Sequence, residues 1–265
     1  WTPTATNSGG QNPTSGSVMI DGSASTAALA SATKYPDKMS VNTTAGFSIV
    51  SYTGNSNSSC TIPHGLNTAP SMVIIKIRST TANGQWVIGQ DQNGFTGQMY
   101  FTNGAFSTNS GSFNNTAPSN TVVTVGTDNT VTEGTDDFIM YCFSNVEGYQ
   151  KIGSYVGNGD KFDGRKVFTG FRPALVIVKA TDSAVTWWLQ DNRRLGYNGV
   201  GFGVGTSGRR RLLPTQYNQE INTHYLSLES NGFRWRDQGN GTNGAGTNYI
   251  YYAVADQTFK FANAL

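Results

Sequence analysis

The chain has 265 residues, 37% of them hydrophobic and 13% charged, which is enough for one large or two modest domains with genuine cores. Its 18 basic and 16 acidic residues leave a net charge of +2, too balanced to imply nucleic acid or an anionic membrane surface as a partner. The longest apolar stretches, around Met72 to Ile77 and Ala174 to Val178, fall far short of the ~20 residues a membrane helix needs.

Scarce charge, 32 glycines and abundant Ser, Thr and Asn point to β-branched strands joined by Gly and Asn turns, so the expected class is all-β. Trp1 opens the chain with neither an initiator Met nor a leader, the start expected of a processed or partial chain. Residues 1–45 are poor in large apolar groups and read as an irregular N-terminal arm or connector. Within them Thr26 to Thr33 is Ala-rich and helix-forming, but too short to stand alone in water.

From Phe47 onward the chain repeats itself. Ser51-Tyr52-Thr53-Gly54-Asn55 precedes Pro70-Ser71-Met72-Val73-Ile74-Ile75-Lys76, and Ser154-Tyr155-Val156-Gly157-Asn158 precedes Pro173-Ala174-Leu175-Val176-Ile177-Val178-Lys179. Tyr155 follows Tyr52, and Lys179 follows Lys76, by the same 103 positions (155 − 52 and 179 − 76). A tryptophan comes next in each copy, Trp86 in one and Trp187-Trp188 in the other. An aromatic strand then closes each copy after a Gly-Thr turn, from Gly134-Thr135 to Tyr141 and from Gly246-Thr247 to Ala253. The spacing predicts two similar β-sandwich or jelly-roll-like repeats, residues 46–147 and 148–265. The continuous β-branched runs Val73-Ile74-Ile75 and Val176-Ile177-Val178 predict strands covered on both faces.

Candidate chemistry is sparse. Cys60, in a Ser/Asn-rich loop, and Cys142, in an apolar strand, show no metal or redox spacing; a disulfide and two separate thiols both remain open. The two histidines, His64 and His224, lie beside no nucleophile motif, and His64 reads as a loop residue. Paired carboxylates that could hydrolyse glycosides are Asp160 with Asp163, Asp136 with Asp137, and Asp182 with Asp191, but Asp160 and Asp163 sit in a turn that favours Asp for its geometry. That loop lacks the spacing of a calcium-binding hand, and Gly199 to Gly205 lacks the Lys-Ser/Thr of a phosphate loop. No catalytic residue, metal or cofactor is therefore expected.

Binding residues are a better prospect. Arg209-Arg210-Arg211 is the one dense basic run, either a solvated loop or a contact to a neighbouring subunit or an acidic sugar. Trp187, Trp188, Tyr197, Tyr217, Tyr225 and Trp235 concentrate in the second copy, where exposed rings could stack on sugars or fill an interface. Strand alternation predicts that one of Trp187 and Trp188 reaches solvent.

Several segments carry a family resemblance: Gly46 to Asn55, His64-Gly65-Leu66, Val146 to Tyr155, Thr169 to Ala174, Asp191 to Arg194, Ser230 to Phe233 and Phe259 to Ala264. Through them the chain resembles an uncharacterised β-rich family of marine phage, cyanophage-like, virion structural and tail-fibre-like proteins. The resemblance implies a non-catalytic virion protein at the particle surface, in a tail fibre, head appendage or capsid decoration. It implies other virion proteins as partners, with host-surface glycan as a further partner and a homo-oligomer, such as a trimer, in keeping with phage fibres. A carbohydrate-binding receptor module is the alternative reading, and a polysaccharide depolymerase a more distant one. No catalytic residues come with the resemblance.

Overall fold

Residues 2–79, 84–193, 210–214, 221–222 and 226–257 are described by the structure, a computed structural model. The chain divides into two compact units, Trp1–Tyr100 with Ser107–Asn145, and Phe101–Phe106 with Val146–Leu265. Both are built of strands, and the chain is all-β, with sheets stacked as sandwiches.

In the first unit the strands are β1 (Val18–Ile20), β2 (Ser23–Ala24), β3 (Lys38–Asn42), β4 (Phe47–Thr53), β5 (Cys60–Pro63), β6 (Met72–Ile77), β7 (Trp86–Gln90), β8 (Gly97–Tyr100), β9 (Ser107–Thr108), β10 (Val122–Val125) and β11 (Asp137–Phe143). Nine of them form one sheet in the order β2-β1-β3-β4-β11-β6-β7-β8-β9, while β10 and β5 pair separately. The pleat sends Val50, Tyr52, Val73, Ile75, Ile77, Phe138, Met140 and Cys142 from the large sheet into one core with Ile62, Val123 and Val125 of the small one.

Residues before 45, read from composition as an arm or connector, are instead part of this sandwich. β3 pairs antiparallel with β4, β1 joins β3 in parallel, and Val18, Leu29, Met39 and Val41 are buried in the core. A few apolar side chains suffice here because the sheet edge supplies the surface they lack. Thr26 to Thr33 is not helical: Leu29 N donates to Gln11 O at 2.8 Å and Gln11 Nε2 to Leu29 O at 2.9 Å, so the segment is held by long-range pairing.

The second unit contains β12 (Gln150–Val156), β13 (Lys166–Phe168), β14 (Pro173–Ala180), β15 (Trp188–Asp191), β16 (Arg210–Arg211), β17 (Ile221–Asn222), β18 (Leu226–Glu229), β19 (Gly232–Trp235) and β20 (Asn248–Ala255). A four-stranded sheet, β12-β20-β14-β15, faces a three-stranded sheet, β13-β19-β18. Tyr155, Val176, Val178, Tyr249 and Tyr251 of the first meet Val167, Leu226, Leu228, Phe233 and Trp235 of the second in one core.

The repeat is visible bond by bond. β4-β11-β6-β7 and β12-β20-β14-β15 share one strand order, with β11 and β20 each between the first and third strands of its copy. Tyr52 Oη donates to Val131 O at 2.7 Å and stacks on Phe138; Tyr155 Oη donates to Thr242 O at 2.6 Å and stacks on Tyr249. Each hydroxyl thereby satisfies a buried turn carbonyl. The glycine two residues on allows the same turn to close. A Cβ on Gly54 would stand 2.4 Å from Glu133 O, and one on Gly157 would stand 2.3 Å from Gly244 O. The following Asn55 and Asn158 donate their backbone N–H to the side chains of Thr132 and Asn243. Lys76 and Lys179 repeat too, each folding its ammonium onto the loop that leaves its own strand, at Gly84 O and Ser183 O.

One expectation fails in both copies. The β-branched runs are not covered equally on their two faces: Val73, Ile75 and Ile77 are buried, whereas Ile74 is partly exposed; likewise Val176 and Val178 are buried and Ile177 is not fully so. In these antiparallel sheets only the core side needs apolar residues, and β-branching on the other side serves the strand backbone.

Candidate interaction surface

The tryptophans expected to meet a ligand do not reach solvent. Trp187, Trp188 and Trp235 are 2%, 9% and 1% exposed. Trp187 lies against Phe101 with ring centroids 5.0 Å apart, and Trp188 and Trp235 meet edge to face at 6.4 Å. Gly241 leaves room for the Trp188 indole, which a Cβ would approach to 2.7 Å. Alternation assigns neighbouring side chains to opposite faces, but in this unit both faces of that strand end are covered. Arg209 lies outside the described residues, as do the side chains of Arg210 and Arg211, whose backbone forms β16 opposite β17. His224 and Gly199 to Gly205 lie outside them as well.

The other candidates hold the scaffold. His64 does lie in a loop but is fully buried; its Nδ1 accepts from Leu66 N and its Nε2 faces Ser119 O, so the ring is neutral with the proton on Nε2. Burial lowers its pKa to about 4. Asp160 Oδ1 accepts from the backbone N–H groups of Phe162 and Asp163, which hold its carboxyl below the usual carboxylate range. A carboxyl so held is an anion that shapes a turn, poorly suited to donate a proton. Asp163 instead pairs with Arg234. Asp136 accepts from Ser79 Oγ, Asp182 from the backbone and side chain of Asn248, and Asp191 from Arg193 N. Cys60, which begins β5 and so is not in a loop, and Cys142 are both buried free thiols. Among the described residues there is no group of three or more His, Cys, Asp or Glu placed to hold a metal ion.

What stands out is the outer face of the small sheet in the second unit. Phe162 is 63% and Phe168 59% exposed, an unusual placement for phenylalanine. Phe168 ends β13 opposite Gly232; Lys166, on the same face, lies opposite Arg234; Arg236, two further along, donates to Phe162 O. The two rings therefore bracket a strip of fixed charge. Glu229 takes Lys166 at 2.8 Å and Arg234 at 3.2 Å, and Arg234 also holds Asp163. Burial works against the Glu229 carboxylate, yet the hydrogen bond and charge of Lys166, with Arg234, keep it below the usual range. Lys161 and Lys166 place their ammonium groups 5.1 and 5.0 Å from the centroids of Phe162 and Phe168. Exposed aromatic anchors beside ordered arginines are the composition of a protein-binding patch.

Neither phenylalanine was singled out by sequence reasoning, although a signal exists. Phe162 sits in the polar turn Asp160-Lys161-Phe162-Asp163-Gly164, too tight to send a ring into the core. Phe168 follows Val167, and in a strand only one of two neighbours can face inward.

No curated protein matches the chain, and no solved structure does. One family model matches residues 4–258 and so spans both units. The chain belongs to that family, DUF7483, a domain of unknown function.

Proposed function

We propose that the protein is a non-catalytic structural component of a bacteriophage particle, displayed at its surface in a tail fibre, head appendage or capsid decoration, and working by assembly with other virion proteins. The observation that carries the assembly reading is the pair of exposed rings, Phe162 and Phe168, on either side of the ordered Lys166–Glu229–Arg234–Asp163 strip. Leaving both rings in water gains nothing for folding, so a covering partner is the physical reason to keep them. The phage setting is supported by the family resemblance of the repeat motifs. Support for a lectin-like alternative is reduced, because its stacking residues Trp187, Trp188 and Trp235 are buried.

The test is incorporation. Particles produced with the Phe162→Ser, Phe168→Ser double variant should lack the protein, while the purified variant keeps its fold, since neither ring contributes to the core. Wild-type incorporation of the variant would refute the assembly reading. Hydrolysis of host polysaccharide by the purified protein would refute the non-catalytic one.

A further inference from the structure

We propose that the edge of β13 accepts an extended, acidic segment of another polypeptide chain that carries a Thr or Ser hydroxyl, clasping the edge as Thr33 and Lys34 clasp the matching edge in the first unit. The two edges can be compared residue by residue. In the first unit Ile62 lies opposite Val123, and His64 N bonds Thr121 O, so Ile62 and His64 turn their backbone groups toward β10 and Thr61 turns its own away. Those outward groups are occupied. Thr61 N donates to Thr33 Oγ1 at 2.8 Å, and Thr61 O accepts from Lys34 N at 3.1 Å. Thr33 N returns a bond to Thr61 Oγ1 at 3.0 Å.

In the second unit Val167 lies opposite Phe233, and the bonds Trp235 N to Arg165 O and Thr169 N to Asn231 O give the same parity. Lys166 therefore stands where Thr61 stands, with its N–H and C=O turned away from β19. Among the described residues no segment of chain bonds to them. Phe168 stands where Pro63 stands, and differs from it twice over: it has a backbone N–H that proline lacks, and its ring is exposed where Pro63 is buried. The second edge thus offers more to a partner than the first, and among the described residues no backbone segment covers it. Lys151, which donates to Phe168 O at 3.1 Å, brings positive charge to this edge beside a Lys166 already held by Glu229, which favours an acidic residue in place of Lys34. Lysines at an edge also deter pairing with an uncharged strand, so the contact is selective. That the segment belongs to another virion protein rests on the assembly reading; the edge chemistry does not.

The probe is a synthetic peptide copying residues 30–36 with Lys34→Glu, titrated to millimolar concentration into the isotope-labelled full chain and followed by NMR. Saturable shifts centred on the amides of 165–169 are expected. A peptide that also carries Thr33→Val should bind about fivefold more weakly, the worth of one hydrogen bond. Lys166→Pro should abolish binding; because it could disturb the sheet, Phe168→Ser, which leaves the backbone intact, should weaken binding as an independent check. Shifts that are absent, lie elsewhere, or are unchanged by Phe168→Ser overturn the proposal. If the peptide fails while the double Phe variant is still lost from particles, only the edge contact is wrong. If the peptide binds while that variant incorporates normally, the assembly reading falls and the edge contact stands.

Discussion

Replacing Tyr52 or Tyr155 with phenylalanine removes one oxygen atom from the middle of a sandwich and leaves everything else in place. The Tyr52 ring is fully buried and stacks on Phe138 at 5.2 Å; the Tyr155 ring stacks on Tyr249 at 4.8 Å. Because each ring stays, no large cavity opens, and the lost term is the hydroxyl's bond to Val131 O or Thr242 O. Val131 O belongs to the single helical turn Asn129–Thr132, too short to satisfy its own carbonyls. An orphaned buried carbonyl costs about 1–3 kcal/mol, so each substitution should lower the stability of its own unit by that amount. Burial pushes both phenols well above their usual range, so they remain donors and the loss should not vary with pH across the neutral range. Native-state hydrogen exchange separates the units. Tyr52→Phe should speed the slowest amides of β4 and β11 by about 5- to 150-fold without matching changes in β12 and β20, and Tyr155→Phe should do the reverse. A change below about 0.5 kcal/mol in both variants would mean that the carbonyls are served by something other than the tyrosines, and that the shared cap is incidental to stability.

Three more outcomes follow from buried polar groups. Burial holds the folded-state pKa of His64 at about 4. The unfolded ring titrates near 6.5, so only the unfolded state takes up a proton as pH falls between the two values; the first unit should lose about 3 kcal/mol across that window, and urea midpoints of His64→Gln should show a flatter profile. The Cys60 and Cys142 thiols are pushed by burial up to about 11 and about 12, so at pH 8 a disulfide reagent should leave the native protein unlabelled and titrate both once it is unfolded; rapid native labelling of either would contradict their burial. Gln190 has neither its amide nitrogen nor its oxygen bonded to any described residue, so Gln190→Leu should raise the unfolding free energy of the second unit by about 1–3 kcal/mol in denaturant titration, and a loss would show that the amide is bonded in solution.

The repeat was legible because its physical causes are local. Tyr52-Thr53-Gly54 and Tyr155-Val156-Gly157 each need a hydroxyl at one strand position and no side chain two places on, and few other residues meet both demands. Burial of the tryptophans was not legible, because alternation gives the face to which a side chain points and says nothing of what covers that face. Composition is silent about the N-terminal segment for a related reason. Its apolar content is too low for independent folding, but Met39 and Val41 needed only a neighbouring strand, and β4 provides one. Phe162 and Phe168 do not stand out by residue type; their placement in a tight turn and at a strand end is the informative property.

Duplication also provides a physical control inside one molecule. Positions that keep the same role in both copies, such as Tyr52 and Tyr155 or Lys76 and Lys179, report what the sandwich requires. Positions that share a place and differ in chemistry report what it does not. Gly89, opposite Val73, accommodates Phe95 and Phe113, whereas Gln190, opposite Val176, brings an amide into the equivalent place. Thr61 and Pro63 lie on an edge that the chain covers itself; Lys166 and Phe168 lie on one that no backbone segment among the described residues covers. Relaxed selection on a redundant copy would trade apolar for small polar side chains at such an edge. A large exposed ring, a second lysine and a paired carboxylate at Glu229 are a different outcome, one that costs solubility and ordering entropy unless a partner meets them. This part of the divergence falls on one face of the second small sheet, where the core of the sandwich makes no demand and surface chemistry can change without loss of fold.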